Sequence, residues 1–413
     1  MTLIQYKSIK WMFFIALSFF VLSACNKEPE QFSESPQVIP TGATLGETLA
    51  GTPDDSLYYR LIVQSGMLGT INNKTSTFTM FVPGNNAMKI FINAISGGLV
   101  PLPAPDAVFS AFITANIPVE TAAAIVSYNI TPQTLTSAGI PNTFPNLQYP
   151  SIFNPAPAIS DLLRLTTFPS TNNGAWINNI PIVIPDVTAA NGIIHQTAFL
   201  VTPPSRFLWD RINEDADLTY FKAAIIRADS GVAPTAATSL IGALNNIGAN
   251  LTVFAPTDAA MQAALTGAIF QGLVSMGVPP ATALPQATAL ASTPDVFVNP
   301  VLFGVLTAQT VKGLVVYHIL GSRAFTNNFP TTDTQYPTLL NSVISTHPGV
   351  TLNATFGVPF VATATVKGAI NTTASNIIIN ASPLLPDPVG TSDQNYLNGV
   401  LHKIDQVLIP LPL

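Results

Sequence analysis

One phrase occurs twice in this chain, at a fixed distance from a closing proline. Asn191-Gly192-Ile193-Ile194-His195 runs on to Pro203, and Asn398-Gly399-Val400-Leu401-His402 runs on to Pro410. The step from Asn to Pro is twelve residues in both. Asn-Gly is a strong turn signal, and the alternating apolar residues after it predict a strand. Such a phrase used twice in 413 residues predicts a duplicated unit. Each copy then has enough chain for its own core.

A second landmark is also duplicated. In Leu251-Thr252-Val253-Phe254 apolar positions alternate, which predicts a strand. Pro256 cannot donate to a ladder and should end it. Thr257 and Asp258 can accept from the orphan N–H groups of a helix that follows. A degraded copy stands at 77–88, with Phe81 and Pro83 followed by Gly84-Asn85. Ahead of each copy lies an apolar helix carrying a Tyr-aromatic-basic triplet, Tyr58-Tyr59-Arg60 and Tyr220-Phe221-Lys222. Behind each, after a Gly/Pro/Ala-rich excursion (97–118 and 267–300), a helix ends in Tyr128-Asn129 or Tyr317-His318. Pattern alone therefore predicts an α+β fold with antiparallel strands, in two copies.

This order resembles the fasciclin, or FAS1, family. Val253-Phe254-Ala255-Pro256-Thr257-Asp258 is similar to its first signature block, Tyr317-His318 to its Tyr-His element, and Asn398-Gly399-Val400-Leu401-His402-Lys403-Ile404-Asp405 to its second block. The first copy departs from it: Gly84-Asn85 stands for Thr257-Asp258, Asn129 for His318 and Ala198 for Asp405, while Asn191, Gly192 and His195 are kept. The resemblance implies two tandem β-wedge or sandwich domains of about seven strands with flanking helices, at 44–203 (divergent) and 204–413. It also implies an adhesion or matrix-binding role, with Tyr317 and His318 as candidate partner-binding residues.

The N-terminus reads as an address. Lys7 and Lys10 precede an apolar run at 11–22, which is shorter than the ~20 residues a bilayer span needs. It ends in Leu22-Ser23-Ala24-Cys25, which looks like a bacterial lipobox; Cys25 is the sole cysteine of the chain. The expectation is a signal peptide at 1–24, lipidation at Cys25 and a flexible tether at 25–43. Asn26 after the cysteine resembles outer-membrane sorting, and Lys27-Glu28-Pro29-Glu30 resembles the export tags of Bacteroidetes surface lipoproteins. One cysteine also excludes disulfides and Cys-based zinc sites.

Charged residues make up 9% of the chain and net charge is −6, against about 25% charged in ordinary domains. With no Lys/Arg cluster, nucleic acid is not an expected partner. Four histidines, 195, 318, 347 and 402, form no His-x-x-x-His or His-Glu pair, so no metal is expected. No Gly-x-Ser-x-Gly elbow or phosphate loop occurs. Glu214-Asp215-Asp217 reads as a solvated surface cluster. The chain is therefore read as a non-enzyme without cofactors. It is expected to be lipid-anchored in the outer membrane, facing outward and binding an extracellular protein or polysaccharide. The alternatives are a glycan- or nutrient-binding accessory of an uptake system, with Trp176 or Trp209 stacking on sugar rings, or a structural envelope component.

Overall fold

The computed structural model describes residues 39–357, 360–380 and 390–411. The leader, Cys25 and most of the tether lie outside the described residues.

In the first half, α1 (Leu45–Ala50) and α2 (Ser56–Ser65) precede β1 (Phe78–Pro83). There follow α3 (Asn85–Ile95), α4 (Asp106–Asn116), α5 (Val119–Tyr128) and β2 (Ile130–Thr131). β3 (Pro169–Ser170), β4 (Trp176–Ile177), β5 (Ile180–Ala189) and β6 (Gly192–Thr197) complete it. The six strands form one sheet in the order β2-β1-β6-β5-β4-β3.

The second half repeats the plan. α6 (Leu208–Glu214), α7 (Thr219–Ala228) and α8 (Leu240–Leu244) precede β7 (Leu251–Pro256). Then come α9 (Asp258–Ser275), α10 (Pro280–Leu290), α11 (Ala308–Tyr317) and β8 (Ile319–Leu320). β9 (Thr334–Tyr336), β10 (Val350–Phe356), β11 (Val361–Lys367) and β12 (Ser375–Asn376) form a sheet of their own, in sequence order. β13 (Gln394–Tyr396) and β14 (Gly399–Ile404) close the other, in the order β8-β7-β14-β13.

Each half is built on one parallel pair. β1 lies parallel to β6, from Phe78 opposite Gly192 to Pro83 opposite Thr197. β7 lies parallel to β14, from Leu251 opposite Gly399 to Ile404 opposite Pro256. Parallel strands need both faces covered, and all six residues of β1 and of β7 are buried. The period of two then sorts them. Leu251, Val253 and Ala255 join the helices in one apolar cluster, while Phe254 meets Leu352, Val366 and Ile404 in another. Phe78, Met80 and Val82 face the helices of the first half, and Phe81 faces Tyr128, Ile177 and Ile180.

The Asn-Gly phrase forms the expected turn, but its glycine has another job. Ala189 pairs with Gly192 and Tyr396 with Gly399, so the loops are Ala190-Asn191 and Leu397-Asn398, and each glycine opens the next strand. A Cβ at Gly192 would stand 2.0 Å from the Phe78 carbonyl oxygen; at Gly399 it would stand 2.5 Å from that of Leu251. Glycine lets the parallel partner approach.

Two local expectations are corrected. The stretch Ile377-Ile378-Ile379, which reads as a buried strand, supplies one bridge from Ile377 to Ile404, and Ile378 is exposed. Asp215 is not on a solvated surface. It is buried between Arg211 at 2.7 Å and Lys403 at 2.8 Å, and Lys403 also reaches Asp217 at 3.2 Å.

Among the described residues no single helix is long and apolar enough to cross a membrane.

Candidate functional site: the repeated motif residues and the seam between the halves

The motif side chains form the same fastenings in both halves. Asn191 accepts the N–H of Leu45, the first residue of α1, and donates to the carbonyls of Ile71 and Asn73. Asn398 accepts the N–H of Leu208, the first residue of α6, and donates to Ala243 and Leu244. Each asparagine therefore caps a helix distant in sequence while holding its own loop.

Thr257 caps α9 as expected, accepting the N–H of Ala260 at 3.2 Å. Asp258 instead serves the neighbouring helix, accepting the N–H of Tyr220 at 3.0 Å and the hydroxyl of Thr219 at 2.5 Å. Asn85 plays this part in the first half, accepting the N–H of Leu57 at 3.0 Å. Gly84, which precedes α3, gives it no side-chain cap. Asp405 accepts from the backbone and side chain of Asn376 and from Ser375, pinning β12 beside the end of β14. Ala198 leaves the first half without that tie.

His195 and His402 are equivalent down to their partners. His402 accepts the N–H of Asp393 at Nδ1 and donates from Nε2 to the Ala324 carbonyl at 2.9 Å. His195 accepts the N–H of Asp186 at Nδ1 and donates to Leu135 at 2.7 Å. Each ring stacks on the Phe of its parallel partner strand: Phe254 with His402 at 5.8 Å, Phe81 with His195 at 5.6 Å. Both aspartates sit in the left-handed region, at φ 53° and 62°. The Asp393 carboxylate accepts the N–H and hydroxyl of Thr326 at 2.7 and 2.6 Å, and Asp186 grips Ser137 likewise.

Burial pushes His402 and His195 below the ordinary histidine range, although the adjoining aspartates and carbonyls pull the other way. Both nitrogens of each neutral ring are engaged by backbone groups, so neither ring is placed to accept a proton from a substrate. The two aspartates escaped sequence reading. The signal was present, since each lies nine residues before its histidine.

Tyr317 and His318 are placed together, but inside the protein. Tyr317 is fully buried and His318 is 1% exposed, which corrects the expectation that they meet a partner. Tyr317 donates to Gly349 and accepts the N–H of Ala369. His318 donates to Leu314 one turn back at 2.8 Å and accepts the N–H of Leu408 at 2.9 Å. Burial pushes its pKa down to about 4, against the Leu314 bond that raises it. Asn129 repeats the arrangement with donors only, to Ile125 and Val201, and its oxygen has no partner among the described residues.

The non-repeated chemistry lies where the halves meet. Arg323, on the strand exit after β8, is 3% exposed. Its guanidinium donates to the side chains of Asn250 and Asn395 and the carbonyls of Tyr396 and Leu397. The Phe168 ring of the first half covers it at 4.8 Å, and Phe168 packs on Phe325 at 5.8 Å. Desolvation lowers the guanidinium to about 10. Asn172 donates to Phe329, Asn328 to Thr143, and Asn395 to Tyr128, each across the seam.

Two cavities open along this seam. One, of about 460 Å³, is lined by the connection at 202–206 and by both halves. The other, of about 210 Å³, lies between Trp176 and Phe360. Trp176 is therefore not an outward-facing aromatic: it is 3% exposed and donates to Asn172. Trp209 is half-buried against the core of the second half. Among the described residues, no group of three His, Cys, Asp or Glu side chains could hold a metal.

Two modules of one α+β fold, each fastened by the same buried Asn, Phe and His, define a duplicated β-module protein. The Fasciclin domain family model matches residues 53–202. The match falls on the half with fewer signature residues. Residues 53–202 thus match a fasciclin domain, and the second half repeats the order of that domain's main elements. A solved structure of a FAS1 domain pair from the insect cell adhesion molecule Fasciclin I is similar, at 14% identity over 85% of this chain and 95% of that chain, with a TM-score of 0.32. No curated protein matches the chain by sequence.

Proposed function

We propose that this chain is a non-catalytic adhesion protein, anchored to the outer membrane through lipid on Cys25, whose two fasciclin modules bind a matrix or cell-surface partner. One observation carries the reading: the excursion that follows the long helix after β1 or β7 exposes large aliphatic side chains in both halves. In the first, Leu99 is 87% exposed and Leu102 47%; in the second, Met276 is 73%, Val298 63% and Val301, just past its end, 80%. Exposed apolar side chains that recur in the same stretch of both halves favour contact with another surface. The engagement of both nitrogens of His195 and His402 by backbone supports the non-enzymatic part. The lipobox sequence at 22–25 supports the anchor.

Attachment of whole cells to immobilised extracellular matrix tests the reading. Cells carrying the native chain are expected to attach more than cells lacking it. Paired Leu99→Ser and Val301→Ser changes are expected to abolish most of the difference without altering the amount of protein at the surface. Equal attachment with and without the chain would remove the adhesion reading.

A further inference from the structure

We infer that residues 407–411 form an acid-released strap, fastened to the second half by ring nitrogens of His318 and His347 that face backbone N–H groups. The segment follows β14. Val407 packs into the cluster of helices, and the fully buried Leu408 into that of Phe254, Tyr317 and Leu320, so the strap covers the joint between the two. Among the described residues five hydrogen bonds hold it. Three involve no titrating group: Asn371 donates to the Val407 carbonyl and accepts the N–H of Ile409, and Ile370 donates to the Ile409 carbonyl. The other two end on histidine. Leu408 donates to Nε2 of His318 at 2.9 Å, and Leu411 donates to Nε2 of His347 at 3.1 Å.

His347 is the weaker fastening. It is 7% exposed, and its Nδ1 faces the Gly349 N–H at 3.0 Å. A neutral imidazole accepts through one nitrogen only, so the ring serves Gly349 and Leu411 one at a time. A protonated ring carries N–H on both sides and serves neither. His318 spends its Nδ1–H on the Leu314 carbonyl, so an added proton goes to Nε2, against the Leu408 N–H. In both rings the proton takes the lone pair that holds the strap. Opening the strap brings the rings to water, so protons bind the open form in preference to the closed one. Burial lowers both histidines in the closed form, His318 to about 4.

Other ionisable groups lie around the two rings. Beside His347 stands the Tyr317 ring, edge-on at 4.9 Å, and a groove that Leu411 and Gly349 share with Asp333 and Lys367. Asp333 accepts from Asn353. Beside His318 stands the Phe221 ring of α7 at 6.0 Å. The cations of α7 and α11 are engaged elsewhere: Lys222, Arg227 and Lys312 donate to the carbonyls of Asn213, Leu306 and Thr238. Asp229, at the end of α7, accepts from Ser239, and Asp405, ahead of the strap, accepts from Ser375 and Asn376.

The first half provides the contrast. Leu200 and Val201 precede Pro203 as Val407 and Leu408 precede Pro410. There Asn129 donates to the Val201 carbonyl. An amide does not titrate, so that segment is expected to stay shut in acid.

Amide hydrogen exchange of the full chain tests the inference, read by mass spectrometry and corrected for the intrinsic rate at each pH. The amides of Leu408, Ile409 and Leu411 report on the strap. Between pH 7.5 and pH 5 their protection is expected to fall by about tenfold or more. Low urea speeds exchange that needs global unfolding; it is expected to leave the strap's exchange at pH 5 unchanged while speeding that of β14. Residues 198–202 are expected to show no such urea-independent fall. His347→Gln and His318→Asn, which put untitratable side chains in place of the rings, are each expected to shrink the fall. Constant protection of the strap across this pH range overturns the inference. So does a fall that urea enlarges in step with β14, which is global unfolding, or a fall of full size in both variants. The native chain alone decides the first two outcomes should a variant fail to fold.

Discussion

His402 takes the backbone N–H of Asp393 at 3.1 Å, nine residues earlier in the chain, and that aspartate stands in the left-handed region at φ 53°. His195 and Asp186 reproduce the relationship at 3.2 Å and φ 62°. A strained aspartate, a saturated imidazole and a gripped Thr or Ser thus form one fastening between the last strand of each half and the loop entering the sandwich. Non-glycine residues hold such a φ where the surroundings over-determine it. Here the aspartate uses its N–H and both carboxylate oxygens at once.

The first half supplies its own control for His318. Asn129 fills the same place with the same bond one turn back. His318→Ala is expected to cost about 2–4 kcal/mol, from lost packing and an unpaired Leu408 N–H. His318→Asn is expected to cost distinctly less. Thermal or urea unfolding of the two variants decides; equal losses would show that the rings and the amide are not interchangeable.

Acid should weaken the fold through its histidines. His318 ordinarily titrates near 6.5 but is held at about 4 in the folded chain, and His195 and His402 are lowered too. Below pH 6.5 the unfolded chain takes up protons that the folded chain refuses. The stability is thus complete above pH 6.5 and is lost as pH falls toward about 4, at up to about 1.4 kcal/mol per pH unit for each such group. Asp55, pushed up to about 6 chiefly by burial, works in the opposite sense. Its favourable protonated form is present at low pH and lost as pH rises through about 6. Urea midpoints between pH 8 and 4.5 are expected to fall on acidification, less steeply in His318→Asn.

Gly399→Ala places a methyl where the Leu251 carbonyl and a Leu208 methyl already lie. The parallel pair must spread, at an expected cost of about 2–4 kcal/mol from overpacking and broken ladder bonds. Circular dichroism melts compare it with Gly267→Ala, where a Cβ would meet nothing within 4 Å and helix propensity favours alanine. A loss at 267 equal to that at 399 would refute the close-approach argument.

Phe168→Ala uncovers the Arg323 guanidinium without touching its amide partners. Loss of the cation–π contact and of the Phe325 packing is expected to cost about 2–4 kcal/mol and to loosen the union of the halves. Differential scanning calorimetry is expected to resolve two transitions where the native chain shows closer coupling. A fragment spanning 204–413 is still expected to fold, since its main apolar clusters are drawn from its own residues. An unaltered thermogram for Phe168→Ala would mean that the seam contributes little.

Much of this plan can be read from sequence because its makers recur. The Asn-Gly-x-x-His phrase, the Phe-x-Pro strand stop and the Tyr-ended helix each mark a fastening that both halves need, so repetition exposes them. Asp258 looked like a cap for its own helix because sequence shows only local partners; the Tyr220 N–H it accepts lies 38 residues away. Asp215 looked exposed because its neighbour Glu214 is, while Lys403 arrives from the far end of the chain. The seam was the least legible part. Arg323 and Asn172 have no repeated counterpart, and Phe168 and the Phe329 carbonyl, which they meet, come from the opposite half.

The parallel pairing of β1 with β6 and of β7 with β14 also decides how each half answers to tension. A pull transmitted along the backbone enters β1 at its start and leaves β6 at its end. Because the two strands run the same way, these points lie at opposite ends of the ladder. Phe78 to Pro83 would then have to slide along Gly192 to Thr197 with every rung strained together, rather than peel apart one rung at a time. The second half presents the same arrangement from Leu251 to Ile404. A body tethered at one end and gripped elsewhere would meet drag with its most resistant seam.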